Sequence, residues 1–236
     1  MSVRIWLSAC ALVASNMAAH ADEASVKAAF QSKLQVPVVS VTKTPLPGIY
    51  EVFTGKSILY TDESASYVLS GGDLIDVKGE TNLTEARMRK LTAISFDALP
   101  LDLAFKKVKG NGKRKLAYFA DPNCGYCKRF EREVNEIDNV TVYMFLYPIL
   151  TPDSVDKAKA VWCSNNRAKA WDDLMQRGVA PVGQANCAST PVDKILAYGK
   201  KMNISGTPTL IFADGSRVPG AIGGDQLREF LDSASR

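Results

Sequence analysis

Two cysteines three positions apart, Cys124 and Cys127, sit at a junction that their flanks define. Arg114-Lys115-Leu116-Ala117-Tyr118-Phe119-Ala120 reads as a short buried strand, and Asp121-Pro122-Asn123 reads as a turn that favours a helix start. Lys128 to Val134 continues as helix, with Phe130, Val134 and Ile137 on one face. Cys124 therefore stands at a helix N-terminus, where unpaired N–H groups and the helix dipole favour a thiolate and lower the pKa to about 3.5–7.5. Cys127, one turn later, lies closer to the interior and stays a thiol until needed. The bland alternatives are a tight local disulfide with no role, or half of a metal site shared between subunits. The strand–turn–helix context favours a catalytic dithiol.

The rest of the composition narrows the chemistry. The only histidine of the 236 residues is His20. Residues 1–21 read as a secretory signal: Arg4, an apolar stretch from Ile5 to about Ala14, and Ala19-His20-Ala21 as a small-x-small cleavage pattern. Ser15 and Asn16 cut that stretch too short to span a membrane. Leu7-Ser8-Ala9-Cys10 resembles a lipoprotein box, but too little apolar sequence precedes Cys10. Removal of the signal exports the chain to an oxidising compartment, with no histidine left. That excludes Ser-His-Asp and Cys-His catalysis and His-ligated metals. The formal charge of +4 is too mild and too interspersed to argue for nucleic acid. No metal and no cofactor is expected.

Four cysteines then remain, with 35 residues between Cys127 and Cys163 and 23 between Cys163 and Cys187. Four cysteines allow three connectivities. A four-cysteine zinc site usually wants a second close pair, which is missing. The plain reading of Cys163 and Cys187 is a structural disulfide.

Along the chain, residues 22 to about 34 carry Val26, Phe30 and Leu34 at helical spacing. Short β-rich runs follow (38–42, 49–53, 57–60, 67–69 and 73–77), separated by Gly-containing turns, and predict an antiparallel meander of four or five strands. So small a domain is marginal alone, and a second copy would supply the missing burial. Asn82-Leu83-Thr84-Glu85 fits a capping box. Leu91, Ile94, Ala98 and Leu101 repeat at helical spacing, so 82–99 reads as a stiff helical linker, or else as an ordinary packing helix. From residue 100 the order is strand, dithiol helix, strand 141–147, a helix-rich insertion to about 202, strands 209–212 and 216–218, and a final helix 224–235. The whole reads as α+β: signal 1–21, a small N-terminal antiparallel β dimerisation domain 22–81, the helical linker 82–99, and a thioredoxin-like catalytic domain with a helical insertion over 100–236. Thr207-Pro208, before strand 209–212, is a plain loop end or a cis-proline turn beside the active cysteine.

With these pieces placed, the sequence resembles the DsbC/DsbG family of bacterial periplasmic disulfide isomerases over nearly its whole length. The resemblance rests on Cys124-Gly125-Tyr126-Cys127, the Trp162-Cys163 to Cys187 pair, Gly206-Thr207-Pro208 and Val218-Pro219-Gly220. The Gly-Tyr dipeptide is the most telling, because related oxidases usually carry other residues there. The resemblance implies thiol–disulfide exchange on misoxidised proteins with chaperone-like client binding. Cys124 and Cys127 are then catalytic, and Gly125, Tyr126, Thr207 and Pro208 flank the sulfur and take the substrate. It also implies a V-shaped homodimer with two sites facing a cleft, and the membrane reductase DsbD as the partner that keeps the dithiol reduced. Lys128 departs from the pattern, standing where the best-known members have histidine. The competing readings are a net dithiol oxidase or reductase, and a holdase chaperone with an incidental dithiol.

Overall fold

The structure is a computed structural model that describes residues 22–181, 187 and 189–235; the expected signal, 1–21, lies outside them. The chain divides into two compact units at Gly72 and Asp73.

In the first unit, α1 (Glu23–Leu34) starts at Asp22, whose carboxylate accepts the Ser25 N–H at 2.7 Å, and ends at Gln35 in a left-handed conformation. Strands β1 (Ser40–Lys43), β2 (Ile49–Phe53), β3 (Ile58–Asp62) and β4 (Val68–Leu69) form an antiparallel sheet in chain order. Phe30 of α1, Val38, Val52 and Ala65 make a small core. The edge strand β4 and its flank leave Tyr67, Val68 and Leu69 exposed.

The fifth run expected in that meander belongs elsewhere. β5 (Ile75–Asp76) pairs only with β6 (Thr81–Asn82), in a separate hairpin of the second unit. Next comes α2 (Leu83–Leu91), capped by Asn82, which accepts the Glu85 N–H at 2.9 Å. The helix expected over 82–99 thus stops at Leu91. Burial decides this: Ile94, Phe96 and Leu99 enter the apolar layer under the large sheet, and the Ile94 N–H reaches the Gly215 carbonyl at 2.9 Å. A continuing helix would aim those side chains around its axis instead of at one surface. Gly215 allows the approach, since its φ is +84° and a Cβ there would meet the Ile94 oxygen at 3.1 Å. The segment goes on through 3-10 turns at Phe96–Ala98 and Leu101–Leu103. α2 itself packs against its own unit, with the Arg89 guanidinium 5.5 Å from the Phe230 ring centre.

The main sheet contains β7 (Phe105–Lys109), β8 (Arg114–Ala120), β9 (Val140–Leu146), β10 (Thr209–Phe212) and β11 (Arg217–Pro219), in the order β11-β10-β8-β9-β7. Only the central β8–β9 pair is parallel. Strand alternation sorts the residues to two layers. Leu116, Tyr118 and Ala120 of β8 face one layer, with Val142, Met144, Leu146, Leu210 and Phe212. Ala117 and Phe119 face the other, with Tyr143, Phe145 and Ile211. Helices α3 (Gly125–Asn135), α5 (Arg167–Arg177) and α7 (Gly224–Ser233) close the first layer through Phe130, Trp171, Leu227 and Phe230. Residues Ile94–Leu103 and α6 (Val192–Lys201) close the second. α4 (Pro152–Cys163) runs from the end of β9 to the Cys163–Cys187 disulfide, whose Cα atoms lie 5.5 Å apart. In the chain-entropy account, closing that loop stabilises the fold by about 3 kcal/mol.

Candidate active site

β8 ends at Ala120, and the next four residues turn the chain into α3. Asp121 holds that turn. Its side chain is fully buried, and every donor around it is neutral. Oδ1 accepts from the Asn123 N–H at 2.7 Å and the Ser154 hydroxyl at 2.8 Å; Oδ2 accepts from the N–H groups of Ile149 and Leu150 at 2.7 and 2.9 Å. A carboxylate is the one side chain that only accepts, so it satisfies four donors at once. Its carbonyl also accepts the Cys124 N–H at 3.1 Å. Asn123 extends the brace through Nδ2 to Thr151, Asp153 and Ser154 of the next helix start.

Cys124 is the N-cap of α3, 3% exposed, and its Sγ accepts the Cys127 N–H at 3.1 Å. As a thiol it donates to the Thr207 carbonyl at 3.2 Å. Its pKa is lowered to about 6, chiefly because the Cys127 thiol can hydrogen-bond the thiolate; burial opposes this, and the N–H groups of Cys127 and Tyr126 add to it. Cys127 is fully buried, and burial, with the Cys124 sulfur beside it, pushes its thiol well above the ordinary value. The two sulfurs thus differ sharply, one primed and outermost, the other protonated behind it. Tyr118 supports this arrangement from β8, donating its hydroxyl to the Cys127 carbonyl at 3.2 Å.

The Thr207-Pro208 peptide bond is cis, and Pro208 is buried. The Pro208 carbonyl accepts the Gly220 N–H at 2.8 Å, so the Val218-Pro219-Gly220 segment braces this loop from behind. The structure therefore brings Thr207 and Pro208 to Cys124 from 83 residues away in sequence. Gly125 has open space around its α-carbon, and Tyr126 is 62% exposed, so the dipeptide between the cysteines faces outward. Cys163 and Cys187 are bonded to each other, apart from the dithiol.

Three residues of the site have no counterpart in the sequence reading: Asp121 as a brace, Tyr118 as a support, and Glu131. Glu131 lies one turn beyond Cys127 on the buried face of α3, wholly out of solvent. It meets Lys107 of β7 at 2.9 Å and the Trp171 indole N–H at 2.5 Å, while Lys107 also reaches Asp172 at 2.6 Å. The pair anchors the dithiol helix to an edge strand and to the insertion. Its signal in the sequence is a charge at i+4 from Cys127 and i−3 from Val134, inside the apolar stripe.

Comparison with known proteins assigns both parts of the chain. Residues 17–85 match the family described as disulfide bond isomerase protein N-terminal domain, and residues 101–235 match the thioredoxin-like domain family. The probable thiol:disulfide interchange protein DsbC of Bordetella pertussis is 46% identical over 208 residues, 88% of this chain and 73% of that protein. The thiol:disulfide interchange protein DsbC of Escherichia coli K12 is 28% identical, over 91% of this chain and 89% of the other. The crystal structure of a disulfide interchange protein from Neisseria gonorrhoeae is 43% identical, covers 58% of this chain and 99% of its own, and superposes with a TM-score of 0.56. On both halves, the chain belongs to the DsbC family of thiol:disulfide interchange proteins.

Proposed function

We propose that the protein is a disulfide isomerase of the periplasm that acts on misoxidised proteins, with Cys124 as nucleophile and Cys127 as resolving thiol. The observation that carries this is the split between the two sulfurs: Cys124 caps α3 with a lowered pKa, and Cys127 lies buried behind it with a raised one. The Cys124 thiolate attacks one sulfur of a client disulfide. A Cys124–client bond forms, and the other client sulfur leaves as thiolate. That thiolate attacks a further disulfide of the client until a more stable pairing expels Cys124, with no net change in oxidation. Where the client stalls, Cys127 loses its proton and attacks Cys124, the client departs reduced by two electrons, and a Cys124–Cys127 disulfide remains. An external dithiol donor of the DsbD kind then returns the pair to the reduced state. Thr207 and Pro208 form the other wall at the sulfur, beside which a client backbone would lie.

The family assignment of the first unit supports a homodimer. The exposed Tyr67, Val68 and Leu69 at the β4 edge are what pairing with a second copy would cover.

The test is trapping. The Cys127→Ala variant, mixed with a scrambled disulfide protein, should accumulate a covalent complex cleaved by reductant, and Cys124→Ala should accumulate none. Equal or greater trapping by Cys124→Ala would reverse the roles.

A further inference from the structure

We infer that Arg129, acting with Tyr126, makes this protein select client cysteines flanked by acidic side chains; the inference rests on the exchange chemistry proposed above. Tyr126 stands between the two cysteines and is 62% exposed. The Arg129 guanidinium carbon lies 5.3 Å from its ring centre, a cation–π contact that fixes a positive charge on the outward side of the dithiol turn.

That charge is not there to stabilise the helix. The N-terminal end of a helix carries partial positive charge and favours anions, and the first turn of α3 has no acidic residue. Lys128 follows Cys127 directly and adds a second, half-buried cation in the same turn. The neighbouring carboxylates are engaged elsewhere. Asp153 is held by Lys157 at 2.7 Å and by Thr151 and Asn123. Asp121 is buried among its four donors. Glu133, one turn along α3 from Arg129, lies against Gly224 of α7. Among the described residues, neither Arg129 nor Lys128 has a carboxylate within ion-pair distance. The uncompensated charge at the outward face is positive, and its complement is an Asp or Glu next to the client cysteine. A client segment that lays its disulfide on Cys124 brings its neighbouring side chains past Tyr126. One carboxylate about 6 Å from the guanidinium then raises the rate of attack by about three- to tenfold in a largely aqueous setting.

The experiment uses the full reduced chain and three disulfide-bonded peptides identical except at the residues flanking cysteine, which are Glu, Gln or Lys. Mixed-disulfide formation is followed in a single turnover at low salt and at 0.5 M salt. The wild-type chain should react with the Glu peptide about three- to tenfold faster than with the Gln peptide, and the Lys peptide should be slowest. The spread should collapse in high salt, where the Debye length is about 4 Å. Arg129→Gln should remove most of the preference while leaving the Gln-peptide rate unchanged, and Arg129→Glu should invert the order. Lys128→Gln serves as a second probe and should weaken the preference less. A preference that persists in Arg129→Gln overturns the inference. So does an equal fall in all three rates, which would mean that Arg129 acts on the Cys124 thiolate and not on the client. A wild-type chain that attacks none of the peptides refutes the exchange chemistry itself.

Discussion

The lowered Cys124 pKa links the stability of the reduced protein to pH, with a sign and a size that can be worked out. The folded thiol ionises at about 6, against 9 for an ordinary thiol. Between those values the unfolded chain binds a proton that the folded one does not, so stability rises with pH across the window. The stabilisation is complete above pH 9 and is lost as the pH falls through 6. Three pKa units correspond to about 4 kcal/mol when fully expressed. Relative to pH 5, about 1 kcal/mol is present at pH 7 and between about 2 and 3 kcal/mol at pH 8. Cys127 contributes in the opposite direction, since its folded pKa is raised and its contribution is lost only at alkaline pH; measurements below pH 8.5 leave it out. Urea unfolding of the reduced chain and of reduced Cys124→Ser, from pH 5 to 8, isolates the Cys124 effect as the difference between two curves. Absorbance at 240 nm should place the thiolate midpoint near 6 in the same samples. Parallel pH dependences for the two proteins, or a midpoint near 9, would refute the stabilisation of the Cys124 thiolate by the Cys127 thiol and the N–H groups around it.

Cutting the chain at two places should separate unit from linker: a fragment beginning at Asp73 should fold, whereas one beginning at Pro100 loses buried Ile94, Phe96 and Leu99, worth about 5 kcal/mol or more, and should melt far lower or fail to fold by circular dichroism. Lys107→Ala should destabilise the protein by about 3–5 kcal/mol in urea, because it strands the Glu131 carboxylate in the core, and Lys107→Ala with Glu131→Gln should recover part of the loss.

The dithiol helix, its flanking strands and the final helix are legible in the sequence because local pattern and tertiary role agree there. Ala120 ends a buried run, Asp121-Pro122-Asn123 supplies turn chemistry, and the stripe of Phe130, Val134 and Ile137 continues from Cys127. Where the two conflict, the local pattern misleads. Leu91, Ile94, Ala98 and Leu101 have helical spacing, yet burial of Ile94, Phe96 and Leu99 under the sheet ends the helix at Leu91. β7 is not visible because Phe105-Lys106-Lys107-Val108-Lys109 looks like a solvated run; Lys107 is in fact turned inward to Glu131 and Asp172. Ile75–Asp76 has strand character but finds its partner in Thr81–Asn82, a pairing that residue types do not specify. The closeness of Thr207 to Cys124 is set by the packing of β10 beside β8. Position in the chain leaves Thr207-Pro208 open between a plain loop end and a cis-proline turn, and it is the Gly206-Thr207-Pro208 resemblance that points to the sulfur.

The division of labour around the active-site turn has a consequence for how such proteins diversify. The groups that hold the turn, Asp121 and Asn123, precede the first cysteine and point inward to Ser154 and the backbone of Ile149 and Leu150. Gly125 and Tyr126 do not brace the turn: one has open space around it, and the other faces outward, where its ring meets the Arg129 guanidinium. The dipeptide can therefore change, and with it the electrostatics felt by the two sulfurs, without a compensating change in the scaffold. Asp121 has no such freedom, because any replacement leaves donors unmet in a sealed space. Variation within the turn thus retunes reactivity one residue at a time, while the same turn moved into a host without its buried acceptor would keep the cysteines and lose the conformation that distinguishes them.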